Sequence, residues 1–192
     1  MKKYFFLLVA LMTTLSVFAG SDKKWNFTIN NDDECVVNRI FSTTKDTQDA
    51  LKSVKKAINR QSFESRNTLS EDAESIVFQL RKNTKVRYNP FAGNFNESVQ
   101  FKMRVSVSGS QVNVLISDLT LETSYTGYGQ KQNSDTFVEL IGDYQDAEVT
   151  AKSSKGKEKK NALEKMEDIN DSLNMCQEEL DKILGQLEKE LK

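Results

Sequence analysis

Phe101-Lys102-Met103-Arg104-Val105-Ser106-Val107-Ser108-Gly109-Ser110-Gln111-Val112-Asn113-Val114-Leu115-Ile116-Ser117 alternates apolar and polar residues on either side of a small-residue turn. Phe101, Met103, Val105 and Val107 share one parity, with Lys102, Arg104 and Ser106 between them; Val112, Val114 and Ile116 repeat the pattern after the turn. Successive side chains of a strand point to opposite faces, so each half is a strand with one apolar and one polar face. Ser108-Gly109-Ser110 is short enough to join them as a tight hairpin. One-sided alternation joined by short turns is the pattern of an antiparallel sheet with a solvated face.

Working outward, Ile76, Phe78 and Leu80 alternate with Val77, Gln79 and Arg81, and Val86 and Tyr88 alternate with Lys85 and Arg87. Asn89-Pro90-Phe91-Ala92-Gly93-Asn94 marks a longer turn before the strand that begins near Val99. The parity predicts four strands, over 76–81, 85–88, 99–107 and 112–117. Upstream, residues 34–41 are β-branched and aromatic, and Ser42-Thr43-Thr44 offers N-cap oxygens to a helix over 46–61. Ala50, Leu51, Val54, Ala57 and Ile58 form one helical stripe there, with Lys52, Lys55 and Lys56 outside it. Downstream, Thr136 and Glu139 have capping-box spacing, and Phe137, Leu140, Ile141 and Tyr144 make a second stripe. The order is strand, helix, four-strand meander, helix: an α+β domain with its helices on the apolar face of the sheet.

Residues 151–160 are basic and interrupted by Gly156, and read as a linker or the start of a helix. From 161 to 192 a heptad holds, with Met166, Leu173, Leu180 and Leu187 on one seam and Ala162, Ile169, Cys176 and Ile183 on the other. Leu163, Leu184 and Leu191 widen the stripe, which suits packing on a domain better than a narrow dimer seam. A homo-oligomer through residues 161–192 is the alternative use of the same stripe.

The first residues read as an address. Met1-Lys2-Lys3 is a basic start, residues 4–19 carry no charge, and Val17 and Ala19 hold the small-residue positions of a signal-peptidase site. Cleavage after Ala19 is expected, leaving residues 20–150 as the α+β domain of a secreted or periplasmic protein with no stable membrane span. Losing Lys2 and Lys3 takes the formal charge from −1 to −3. In an oxidising compartment Cys35 and Cys176 have one available pairing, and a bridge across so long a loop contributes up to about 5 kcal/mol by chain entropy. The alternative is two buried apolar thiols, since each sits among aliphatic residues.

The chain of 192 residues has no histidine. That removes a Ser-His-Asp triad, a Cys-His pair, an HExxH zinc site and any imidazole base. The acidic groups at Asp32-Asp33-Glu34 and Asp143 and Asp146 lack the spacing of a calcium loop, and no phosphate loop or dinucleotide fingerprint occurs. No metal and no cofactor are expected. A near-even charge balance gives no pull toward nucleic acid. A carboxylate pair can hydrolyse glycosides without histidine, but nothing in the sequence selects which two of the 28 acids would stand at the needed separation.

Val36-Val37-Asn38-Arg39-Ile40-Phe41 before the capped helix, and the hairpin quoted above carried on to Asp118-Leu119, resemble a family of secreted bacterial proteins of unknown function with a TATA-binding-protein-like (TBP-like) fold. The resemblance spans roughly residues 30–150 and implies fold and secretion, with no activity. A TBP-like sheet binds through its open face. Here that face would carry Arg81, Lys85, Arg87, Lys102 and Arg104, either as a site for an anionic partner or as an ordinary solvated surface. Tyr88, Phe91, Tyr125 and Tyr128, on Gly- or Pro-containing turns, suit glycan or peptide contacts and equally suit plugs at the sheet ends. The expectation is an exported, non-catalytic binding protein of the cell envelope, with a glycan or protein partner. A carboxylate-based hydrolase of envelope or dietary glycan is the alternative.

Overall fold

Strands β4 (Ser75–Asn89), β5 (Gly93–Ser108) and β6 (Gln111–Thr126) form the centre of the structure, a computed structural model that describes residues 23–89, 93–126 and 131–192. The leader read over 1–19 lies outside the described residues. Around the long strands the sheet adds β1 (Thr28–Ile29), β2 (Cys35–Ser42), β3 (Ser65–Glu71) and β7 (Lys131–Thr136). The order is β1-β2-β6-β5-β4-β3, all antiparallel. β7 pairs with β6 end to end with β2, on the stretch of β6 that β2 leaves free.

The expected segments 76–81 and 85–88 are one strand. A β-bulge between Asn83 and Lys85 joins them and inserts Thr84 into the ladder. An inserted residue shifts side-chain parity. Lys85 therefore stands opposite Glu97, on the face of Val99 and Phe101, and Val86 is 65% exposed rather than in the core. A second bulge lies opposite Phe101, where Asp118 adopts φ 53 and the β6 parity changes, so that Ile116, Leu119 and Leu121 are all buried. Aspartate is among the few residues that enter this left-handed region readily. β3 and β7 escape a search for apolar alternation because they are exposed edge strands of Ser, Asn, Thr and charged residues.

Three helices cover the apolar face. α1 (Thr47–Asn59) buries the stripe expected of it, but Asp46, not the Ser42-Thr43-Thr44 cluster, caps it by accepting the Asp49 N–H at 2.8 Å. Thr43 instead donates its hydroxyl to the Leu191 carbonyl at 2.7 Å, tying the end of β2 to the end of the chain. α2 (Phe137–Ser153) starts with the expected capping box: the Glu139 N–H donates to Thr136 Oγ1, and the Thr136 N–H donates to the Glu139 carboxylate. α3 (Gly156–Leu191) takes in most of the expected linker; only Ser154 and Lys155 separate the two helices, and Gly156 has φ 60.

A helix of 36 residues is about 54 Å long, and strands of 16 residues are about 53 Å. The sheet is long enough to take the whole rod. Leu173, Cys176, Leu180, Ile183, Leu187 and Leu191 are fully buried against it, which leaves no seam for an intermolecular coiled coil. Glu190 reaches α1, pairing with Lys56 at 3.0 Å and with Arg60. Side-chain oxygens of α3 also hold the start of the chain: Asn174 accepts the N–H groups of Lys24 and Trp25, Gln177 that of Asn26, and Asn170 the Trp25 indole N–H. Trp25 and Phe27 pack edge-on against Tyr144 and Phe137 of α2.

Candidate functional site

Because all three helices share one face, the opposite face of the sheet is left uncovered by the described chain. It is built from the polar parity of the long strands: Gln79 and Arg81 on β4, Ser98, Gln100, Lys102 and Arg104 on β5, Thr120 and Glu122 on β6. Arg81 is its centre. The guanidinium pairs with Glu64 and Glu122, each at 2.9 Å, and donates to Ser98 Oγ at 2.9 Å. Lys102 pairs with Asp118 at 2.6 Å. Arg104 is exposed and helps to hold the Asp72 carboxyl below its ordinary value, after the Glu74 and Ser75 donors that dominate that shift.

The five expected cations are thus not gathered into one bare patch. The Thr84 bulge sets Lys85 on the helix-side register, and Arg87 pairs with Phe95, its side chain lying outside what is described. Arg81 and Lys102 are already matched by carboxylates that strand parity did not place beside them. Glu64 precedes β3, Asp118 is the bulge residue, and Glu122 lies beyond the expected end of its strand. Phe91 and Tyr128 lie outside the described residues, as does the Tyr88 side chain. Tyr125 stands opposite Phe95 in the β5–β6 ladder and is half-buried.

The two thiols are free and buried. Cys35 begins β2, and burial pushes its thiol up to about 12. Cys176 lies on the buried side of α3, where burial and then the Glu97 carboxylate push its thiol upward. Such thiols stay protonated and are poor nucleophiles. Beside Cys176 lies a buried polar group not singled out by the strand reading. Glu97 is 4% exposed, accepts the Ser172 hydroxyl at 2.8 Å through one carboxylate oxygen, and has no hydrogen-bond donor on the other. Among the described residues the Thr84 hydroxyl also has no partner of hydrogen-bond geometry, though it adjoins the Cys176 thiol. Parity carried the signal, since Glu97 stands two residues before Val99 on the apolar side.

Among the described residues no group of three or more acidic or cysteine side chains is placed to hold a metal ion, and no helix is long and apolar enough to cross a membrane. No family model matches the chain, and no curated protein matches it. Among solved structures it is similar to a TBP-like protein from Parabacteroides distasonis, at 12% identity and a TM-score of 0.45, over 83% of this chain and 96% of that one. It is also similar to a DUF4468 family protein from Bacteroides ovatus, at 13% identity and a TM-score of 0.42, over 76% of this chain and 84% of that one. The two neighbours carry the descriptions to which the sequence resemblance pointed: a TBP-like protein and a family of unknown function.

Proposed function

We propose that this is an exported binding protein of the bacterial cell envelope that engages a glycan through the uncovered face of its sheet, without covalent chemistry. One observation carries the reading. A sheet with strands of 16 residues has one face sheathed in helices and the other lined with hydroxyl and amide groups, its central cations matched by carboxylates. A locally neutralised surface of donors and acceptors suits a polyhydroxylated ligand better than a highly charged one. The test is a screen of the mature protein, residues 20–192, against purified envelope polysaccharides, read by titration calorimetry. Saturable binding that weakens when Gln79 and Gln100 are both changed to Ala, with no released product, supports the reading. Binding unchanged in that double variant places the ligand elsewhere.

On the open face the hydrolase alternative would draw on Glu64 and Glu122, which grip the same guanidinium. A glycosidase needs one carboxyl free to give a proton and another free to attack or to activate water. Here Arg81 occupies both. Reducing-sugar release in the same screen, abolished by Glu122→Gln, would replace the binding reading with this one.

A further inference from the structure

We infer that a groove on the β2 and β7 side of β6 receives a basic side chain from an extended polypeptide partner. β2 stops pairing with β6 at Ile116 and β7 starts at Thr120. Among the described residues, Ser117, Asp118 and Leu119 therefore have no ladder partner on that edge. The gap opens onto a groove of about 390 Å³, lined by Asp33, Glu34, Cys35, Leu119, Thr136 and Val138, with Asp118 at its lip. That is the size of a small-ligand site. The floor is apolar, because Cys35 and Leu119 are buried. The rim is acidic, with carboxylates from Asp33, Glu34 and Asp118, the last of them paired with Lys102.

The shape is held in place. Asn30 Oδ1 accepts the N–H groups of Asp32 and Glu34, each at 2.9 Å, and fixes the turn that carries the acidic rim. The N-terminus of α2 adjoins the groove, but its capping box already sets the Glu139 carboxylate against those N–H groups, so the helix dipole draws no anion. Three unpaired residues are too few to seat a strand. They leave room for one side chain whose flanking backbone can bond to the free edge. An aliphatic stem over Cys35 and Leu119, with a cationic head at the rim, matches both floor and charge.

The test uses the mature protein with isotope-labelled amides and an acetylated, amidated peptide of sequence Gly-Val-Arg-Val-Gly. The expected result is shifts of the Glu34, Cys35, Leu119 and Thr120 amides that saturate in the millimolar range and fade between low and physiological salt. The double change Asp33→Asn with Glu34→Gln should weaken binding roughly five- to tenfold; Asn tolerates the φ of 56 at position 33, so the turn survives. The wild-type salt dependence tests the same charges without any variant. Three results overturn the inference: equal binding of a peptide with citrulline in place of arginine, equal binding of free arginine amide, or shifts confined to the open sheet face. The glycan reading is tested separately, by polysaccharide binding to the Gln79 and Gln100 variant.

Discussion

Glu97 shows how one side chain can resist a parity argument. On the apolar parity of β5, between Asn96 and Ser98, it looks like the polar end of a strand. The fold instead carries the sheet several residues further, places Ser172 of α3 above it and leaves one of its oxygens without a donor. A buried acceptor that loses its only donor costs about 1–3 kcal/mol, so Ser172→Ala should destabilise the protein by that amount in urea titration. Glu97→Gln should not. The amide keeps an acceptor for Ser172 and removes a buried charge, so stability should hold or rise by roughly 1 kcal/mol. A loss above that size in the Gln variant would show that charge at Glu97 matters more than its hydrogen bonding. The core positions of the strand centres, from Ile76 to Ile116, were legible because each sits within an unbroken alternation. Thr84 and Asp118 were not, because their positions depend on insertions that only the partner strand reveals; Glu97 keeps the apolar parity of Val99, but a carboxylate there reads as the polar end of a strand.

At the level of elements, the helices were readable and the edges were not. A stripe at helical spacing is local, and α1 and α2 bury theirs as expected. β3 and β7 have no such signature, since an edge strand facing water needs no apolar row. The bulges make a direct test possible. Val86→Lys should change stability by less than about 0.5 kcal/mol because the site is exposed, whereas uninterrupted alternation would make it a core position. Leu121→Ala, which the second bulge turns inward, should cost about 2–5 kcal/mol. The contact between α3 and α1 has its own signature. The Lys56 and Arg60 charges hold the Glu190 carboxyl below its ordinary 4.5. A carboxyl lowered on folding stabilises the protein above its unfolded value and loses that contribution as pH falls through the folded one. Melting temperature should therefore drop on acidification below about pH 4.5, and Glu190→Gln should flatten that part of the profile. Parallel profiles for the two proteins would show that the ion pair adds nothing.

For the whole molecule, the question left by the sequence was where a helix longer than a small domain could lie. The answer is a longer sheet together with α2, which no count of apolar residues reveals because β5 and β6 extend into polar segments at the end away from their hairpin, and Lys165 of α3 pairs with Asp143 of α2. The mature protein should sediment as a monomer. Leu180→Ala, at a fully buried position, should cost about 2–5 kcal/mol without changing that state. Removal of residues 155–192 should expose Ile76, Phe78 and Phe101 and drive aggregation. The contacts of Lys24, Trp25 and Asn26 with Asn170, Asn174 and Gln177 join positions about 150 apart in the chain. For a polypeptide exported from its amino end, the first segment to emerge has no docking surface until the last one has crossed. Contacts of such sequence separation form late and slowly. Under the proposed export, the native state forms only after the whole chain has crossed. A chain that stops before its final helix leaves Trp25 without its partners on α3 and keeps apolar sheet residues exposed, the state in which proteolysis is fastest.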